Sequence, residues 1–173
     1  MTGGGTIVLS VLLYRTFKHL ETVSRATESQ TEYKFRPWIG PAGTIHEVAA
    51  GSDKKRFEIV IKNYGEYAAN DLTVINLIKT EAMSRDELKS KAETRLSLGP
   101  LLPTMEKRFW FDIDNHAIKK AKDAGSKIFV GVIIEYPLTF GKSEYGMISE
   151  LDLETMGFVH KEMWVQSPPL RLD

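Results

Sequence analysis

The sequence has no cysteine, no net charge and little apolar length, and each shortage removes a class of function. Without cysteine there are no disulfide staples, thiolate metal ligands or cysteine nucleophiles. The redox compartment stays open, because a cysteine-free chain suits either environment. Twenty-three basic side chains balance twenty-three acidic ones, so no overall field gathers nucleic acid or an acidic substrate. Nucleic acid is not expected as a partner. The histidines, His19, His46, His116 and His160, sit in separate segments with no H-x-x-x-H or H-E-x-x-H spacing for zinc. No G-x-S-x-G elbow offers a serine nucleophile, and the carboxylates are too dispersed to name a glycosidase pair.

Two partial motifs fail on their spacing. Asp112, Asp114 and Asp123 suggest a calcium loop, but His116 and Ala117 stand where an oxygen ligand and a glycine are required, and Asp123 stands where a bidentate Glu belongs. Helix capping accounts for these aspartates better. Gly141, Lys142 and Ser143 match the end of a phosphate loop, but Tyr136 occupies the position of its first glycine and the flanks read as strands. The chain is therefore expected to be non-enzymatic, with no catalytic residues, no cofactor and no metal.

What is present is organised around Arg56 to Thr80. Phe57, Ile59 and Ile61 alternate with Glu58, Val60 and Lys62, the period of a strand with one buried face. Asn63, Gly65 and Asn70 supply a turn-tolerant connection, after which Leu72, Val74, Ile75, Leu77 and Ile78 form a second strand. That connection is longer than a two-residue hairpin, so the strands either pair or cross to opposite sheets.

Before this lies Gly3 to Tyr14, apolar and uncharged, running into Arg15, Lys18 and His19. It falls short of the ~20 residues that span a bilayer as a helix. Three readings fit: the end of a membrane anchor, a signal-peptide core, or a helix that packs on protein; the expectation carried forward is the anchor. Arg15, Lys18 and Arg25 all follow the apolar segment and no charge precedes it, so the positive-inside rule places the domain of an anchored chain in the cytoplasm. From Arg15 to Tyr33 the charged residues, with Phe17, Leu20 and Val23 at helical spacing, predict a solvated helical stalk.

Pro37 and Pro41 exclude a helix and suit an edge strand that opens the domain. Ser84 and Glu87 form a capping box for a helix over Ser84 to Arg95, and Leu98 to Pro103 reads as a turn. Met105 to Ile113 is the next strand, with Phe109, Phe111 and Ile113 on one face and Trp110 on the other. Asp114 or Asn115 caps a short helix ending near Gly125, with Lys119, Lys120 and Lys122 on a solvated face. Lys127 to Tyr136 is apolar on both alternating sets and should be the most buried strand. Strand-like runs follow around Glu144 to Leu151 and Phe158 to Val165 before Pro168 and Pro169. About seven or eight short strands fit an antiparallel sandwich better than an alternating α/β chain.

The order of an apolar segment, a charged helix rich in Thr and Gln, an R-P-aromatic-Ile opening at Arg36 to Ile39 and a strand ending in K-N-x-G at Lys62 to Gly65, with Ala68, Ala69 and Asn70 behind it, resembles uncharacterised prokaryotic membrane-anchored proteins. Tyr136, Gly141 and Lys142 match that pattern loosely, and the short apolar segment departs from it. The resemblance implies an immunoglobulin-like β-sandwich and carries no active site.

The expected organisation is an N-terminal segment and stalk over residues 1–33 and a sandwich over 34–173. The expected function is a membrane-tethered interaction or accessory module with an unknown protein partner. The alternative is a soluble small-molecule or carbohydrate-binding sandwich, in which Trp38, Trp110 and Trp164 form a contact surface by stacking.

Overall fold

The computed structural model describes residues 3–92, 94–139 and 141–168, the side chains of 3–11, 29, 32, 33 and 50 excepted. The sheets occupy the compact unit Pro37–Pro168, and the helix that precedes them belongs to a separate one. Pro169, the second of the two closing prolines, lies outside the described residues.

The apolar segment and the stalk form one helix, α1 (Gly3–Phe35). No glycine or proline between Thr6 and Phe35 interrupts it. Three of its threonines are satisfied internally: the hydroxyls of Thr16, Thr22 and Thr27 donate to the carbonyls of Leu12, Lys18 and Val23 at 2.9, 3.0 and 2.8 Å. The expected membrane anchor is overturned, because among the described residues no helix is long and apolar enough to cross a membrane. At 1.5 Å per residue, 33 residues have the length for a core of about 30 Å. What fails is composition: the apolar stretch stops at Tyr14, and Arg15, Lys18, Glu21 and Arg25 follow directly. The membrane-anchored localisation and the cytoplasmic side derived from it lose their basis. Leu13, Phe17 and Leu20 lie along one stripe of α1, each more than half exposed.

The domain is mainly β, with two antiparallel sheets. In the first, β3 (Lys54–Asn63) is central. The proline-bearing opening splits into β1 (Ile39–Pro41) and β2 (His46–Ala50), laid end to end along one edge of β3. The other edge pairs along its length with β6 (Glu106–Asp114). The second sheet has the order β5-β4-β7-β8-β9, from β4 (Ala69–Lys79), β5 (Thr94–Leu101), β7 (Ile128–Leu138), β8 (Gly141–Leu151) and β9 (Phe158–Gln166). The open question of the first two strands is thereby answered: β3 and β4 lie in different sheets. Asn63 fixes the crossing. Its amide nitrogen donates to the carbonyls of Tyr67 and Leu101 at 2.7 and 3.1 Å, and its amide oxygen accepts from the backbone N–H groups of Trp38 and Gly65 at 3.2 and 2.9 Å. All four hydrogen bonds available to an asparagine side chain are made. The K-N-x-G residues are thus a structural joint.

The inward faces build one core. Phe57 stacks on Phe111 at 5.6 Å and meets Phe158 edge-on at 5.1 Å, pairs that add about 0.5–1.5 kcal/mol each beyond burial. Strand β7 is buried on both faces, as its composition predicts. Val130, Val132, Ile134 and Tyr136 face the inter-sheet core, while Ile133 joins Ile75, Leu77, Ile148 and Trp164 in a second apolar cluster on the outer face. The short helix α2 (Arg85–Ser90) caps that cluster with Leu88. It begins as expected at Ser84, whose hydroxyl accepts from the Glu87 N–H at 3.3 Å, but it ends early, and Thr94 and Arg95 are already strand. Leu98 to Leu101, expected as a turn, continues β5. An edge position makes this tolerable: register shifts opposite Gly99 absorb its positive φ of 66°, and Pro100 has no ladder to spoil on the open side. Helix α3 (Asn115–Asp123) follows β6 with Asp114 as its cap, the Asp114 carboxylate accepting from the His116 N–H at 2.7 Å.

Candidate binding cleft

After Leu101 the chain leaves the second sheet, turns, and enters the first as β6, so β5 and β6 are edge strands of facing sheets that meet at one end. There Lys107 Nζ donates to the Leu98 carbonyl. Away from that hydrogen bond no ladder joins the two strands among the described residues, and a wedge opens between the sheets. Its first part is a cleft of about 460 Å³, within the size range of ordinary ligand sites.

The floor is Phe109 and Phe111 from β6 and Ile78 from β4, with Thr94 of β5 beside them. Asn76 reaches into the same cleft from β4. It is 5 % exposed, and its amide Nδ2 has no hydrogen-bond partner among the described residues. A buried donor left unpaired costs about 1–3 kcal/mol, so the site holds an unmet demand for an acceptor.

The rim comes from the outer face of the first sheet. Arg56 and Asp112 sit opposite each other in register and form a two-pronged pair, Nε to Oδ1 at 2.7 Å and Nη2 to Oδ2 at 3.0 Å. Hydrogen bonding to Asp112 raises the guanidinium pKa, and the same bond lowers the Asp112 carboxyl. Each charge is therefore spent on the other, and among the described residues the rim offers a ligand no net charge. The next pair along is Glu58 and Trp110. Trp110 is 52 % exposed, yet its indole Nε1 donates to Glu58 Oε2 at 2.9 Å. The other carboxylate oxygen lies 3.5 Å from His46 Nε2 and 3.6 Å from Arg108 Nη1. Glu58 is 4 % exposed although it lies on an outer face, because these three side chains cover it.

Further along β6 a second cleft of about 350 Å³ shares Ile78 with the first. Ile113, Ala117 and Ile128 give it apolar walls, with Lys79 and Glu81 at its mouth. A wider depression of about 660 Å³ over α3 is bounded by His116, Lys119, Lys120, Asp123 and Ala124. That is a solvated helix face, as the spacing of its lysines predicts.

The three tryptophans do not converge. Trp38 precedes β1, is 38 % exposed, and pairs its carbonyl with the Tyr64 N–H at 2.8 Å. Trp164 is buried at 6 % on the outer face of the second sheet, its Nε1 donating to Glu144 Oε1 at 2.9 Å. Among the three, only Trp110 lines the cleft. Asn76 was missed in the sequence, although the signal was legible: it is the polar member of the inward series Leu72, Val74, Asn76, Ile78.

Among the described residues no group of three or more His, Asp or Glu side chains could hold a metal ion. Ser149 Oγ lies 2.8 Å from His160 Nδ1, a hydroxyl beside an imidazole. Ser149 is fully buried, and neither residue lines either cleft of the wedge. The pair ties β8 to β9.

No family model and no curated protein matches the chain. Among solved structures it is similar to a beta-glucosidase from Kluyveromyces marxianus in complex with glucose, at 15 % identity and TM-score 0.30 over 72 % of this chain and 15 % of that one. It is similar to beta-glucosidase 3B from Thermotoga neapolitana in complex with glucose at 10 % identity and TM-score 0.31, over 77 % and 17 %. It is also similar to the structural-genomics target SoR45 at 14 % identity and TM-score 0.26, over 80 % and 89 %. The chain spans about one sixth of the length of the two beta-glucosidases, and superpositions this loose assign neither family nor activity.

Proposed function

We propose that this chain is a non-enzymatic β-sandwich that acts as an interaction module, recruiting a protein partner through β6. The observation that carries this reading is Trp110: a large aromatic side chain held by Glu58 in one orientation while more than half of it faces solvent. Tryptophan and arginine dominate the energetics of protein interfaces, and a pre-ordered ring loses little entropy on docking. Arg108 and Arg56 flank Trp110 on the same face. The resemblance of the opening and K-N-x-G residues to the sandwiches of prokaryotic proteins belongs to this proposal for the domain alone, as an immunoglobulin-like arrangement.

The test is chemical cross-linking of the full chain in its source cells, read by mass spectrometry, for wild type and Trp110→Ala side by side. The reading expects a reproducible partner set that Trp110→Ala loses while its circular dichroism and melting temperature match wild type. An unchanged set overturns it.

A small-molecule or carbohydrate reading has one observation in its favour, the cleft beside Trp110 with its neutral rim. A panel of neutral mono- and oligosaccharides titrated against Trp110 fluorescence decides it, saturable binding being the outcome that would replace the protein partner.

A further inference from the structure

The wedge between β5 and β6 has three properties that together specify an occupant. First, β6 pairs with β3 on one side and carries no ladder on the other among the described residues, so its open edge presents unpaired N–H and C=O groups. Second, the two clefts share Ile78 and follow successive inward residues of β6. The first lies over Phe109 and Phe111, the second over Ile113, so successive inward residues of β6 floor them. Third, the wall opposite is β4, whose inward residues Asn76 and Ile78 are also two apart. A strand advances about 6.8 Å for every two residues and points alternate side chains the same way. A strand added to β6 would therefore place one inward side chain against Asn76 and the next against Ile78.

We propose, building on the reading of the chain as a protein-interaction module, that the partner supplies an extended segment that adds as a strand to the open edge of β6. Main-chain hydrogen bonds hold it, and two pockets read it. The first pocket takes a side chain with a neutral acceptor, a carboxamide or a hydroxyl, which satisfies Asn76 Nδ2. A carboxylate gains less there, because Arg56 is already engaged by Asp112 and no other cation among the described residues lines the first cleft. The second pocket, walled by Ile113, Ala117 and Ile128, takes an aliphatic side chain. The signature is carboxamide or hydroxyl, any residue, aliphatic.

The test pans a phage-displayed random decapeptide library against the full chain and measures the enriched sequence as a synthetic peptide by calorimetry. The expected result is enrichment of that signature at a spacing of two. Methylating the backbone nitrogens of alternate residues should weaken binding at least about tenfold in one of the two registers, since each methyl group removes a ladder donor. Asn76→Leu, close in volume, should erase the preference at the first position and keep the aliphatic one. Ala117→Phe, which fills the second pocket, should do the reverse, and the two variants cross-check each other against simple misfolding. An empty selection, enrichment without the spacing, or equal affinity of both N-methylated registers overturns the proposal. The outcome is separable from the Trp110 test, because Asn76 is buried behind the rim and Ala117 lines only the second cleft, whereas Trp110 is exposed on the outer face: a partner lost with Trp110→Ala but indifferent to both wedge variants leaves the module and removes the strand.

Discussion

Two tryptophans, one on the outer face of each sheet, make the same local bond and have opposite fates. Trp164 donates to Glu144 on the neighbouring strand and Trp110 donates to Glu58 on its neighbour, both at 2.9 Å. Over Trp164 lies α2: the Arg85 guanidinium sits 4.4 Å above the ring, Lys89 Nζ reaches the free oxygen of Glu144 at 2.8 Å, and Leu88 closes the apolar cluster. Among the described residues of the sandwich no comparable element lies over Trp110, and the second oxygen of Glu58 meets His46 and Arg108 at longer range. One helix of six residues decides the difference. The strand-to-strand bond orients a ring, and the cover decides whether the ring is core or contact surface.

Trp164→Ala should cost about 3–5 kcal/mol in chemical denaturation, the range for a large buried aromatic, while Trp110→Ala should stay within about 1 kcal/mol. Equal losses would refute the distinction. Gly146 opposes Trp164 in register, and a Cβ there would stand 2.1 Å from Cζ2 and 2.2 Å from Cε2 of the indole. Gly146→Ala must displace the ring or bend the strand, an overpacking cost of about 1–3 kcal/mol, visible as a shifted Trp fluorescence maximum. Glu144→Ala should cost about 1–3 kcal/mol by leaving a buried indole N–H unpaired. Glu58→Ala should cost less, since water reaches the exposed Trp110.

The smallest effect is in acid. Hydrogen bonds from Arg56, from Lys79 and Lys91, and from Lys161 and Lys127 lower the carboxyls of Asp112, Glu87 and Glu150, and the backbone N–H of Glu154 lowers Asp152. A carboxyl lowered in the folded state contributes stability above its unfolded pKa of about 4, and that contribution is lost as pH falls through the folded value. Urea midpoints should hold steady from neutrality to about pH 5 and decline below it. A rise in stability on acidification would contradict these pairings. All but Asp152 involve partly exposed ion pairs, so the decline should also be shallow and salt-sensitive.

The sequence displayed the sandwich because periodicity reports burial one strand at a time. Phe57, Ile59 and Ile61 face in, β7 is apolar on both sets because both of its faces are covered, and Ser84 and Asp114 cap the helices they precede. Local and global preferences diverge at β5 and α1. Gly99 and Pro100 look like a turn in isolation, and β5 keeps them only because it is an edge. The apolar start of α1 looks like an anchor until the charges that follow are counted along the same helix. The cleft was illegible for a different reason: its walls come from β3, β4, β5 and β6, and no local pattern says that Asn76 will face Phe109 across a wedge.

The crossing at Asn63 also sets a schedule. Strand β3 finds its earlier neighbours, β1 and β2, as soon as it is made, but its longest pairing is with β6, and Arg56 waits for Asp112, 56 positions away. On a ribosome adding roughly 5–20 residues per second, the first sheet therefore stays incomplete for several seconds with one edge of β3 bare. Contacts this distant along the chain also slow refolding in solution. The nascent chain is most vulnerable to mispairing in that interval, before Asp114 emerges.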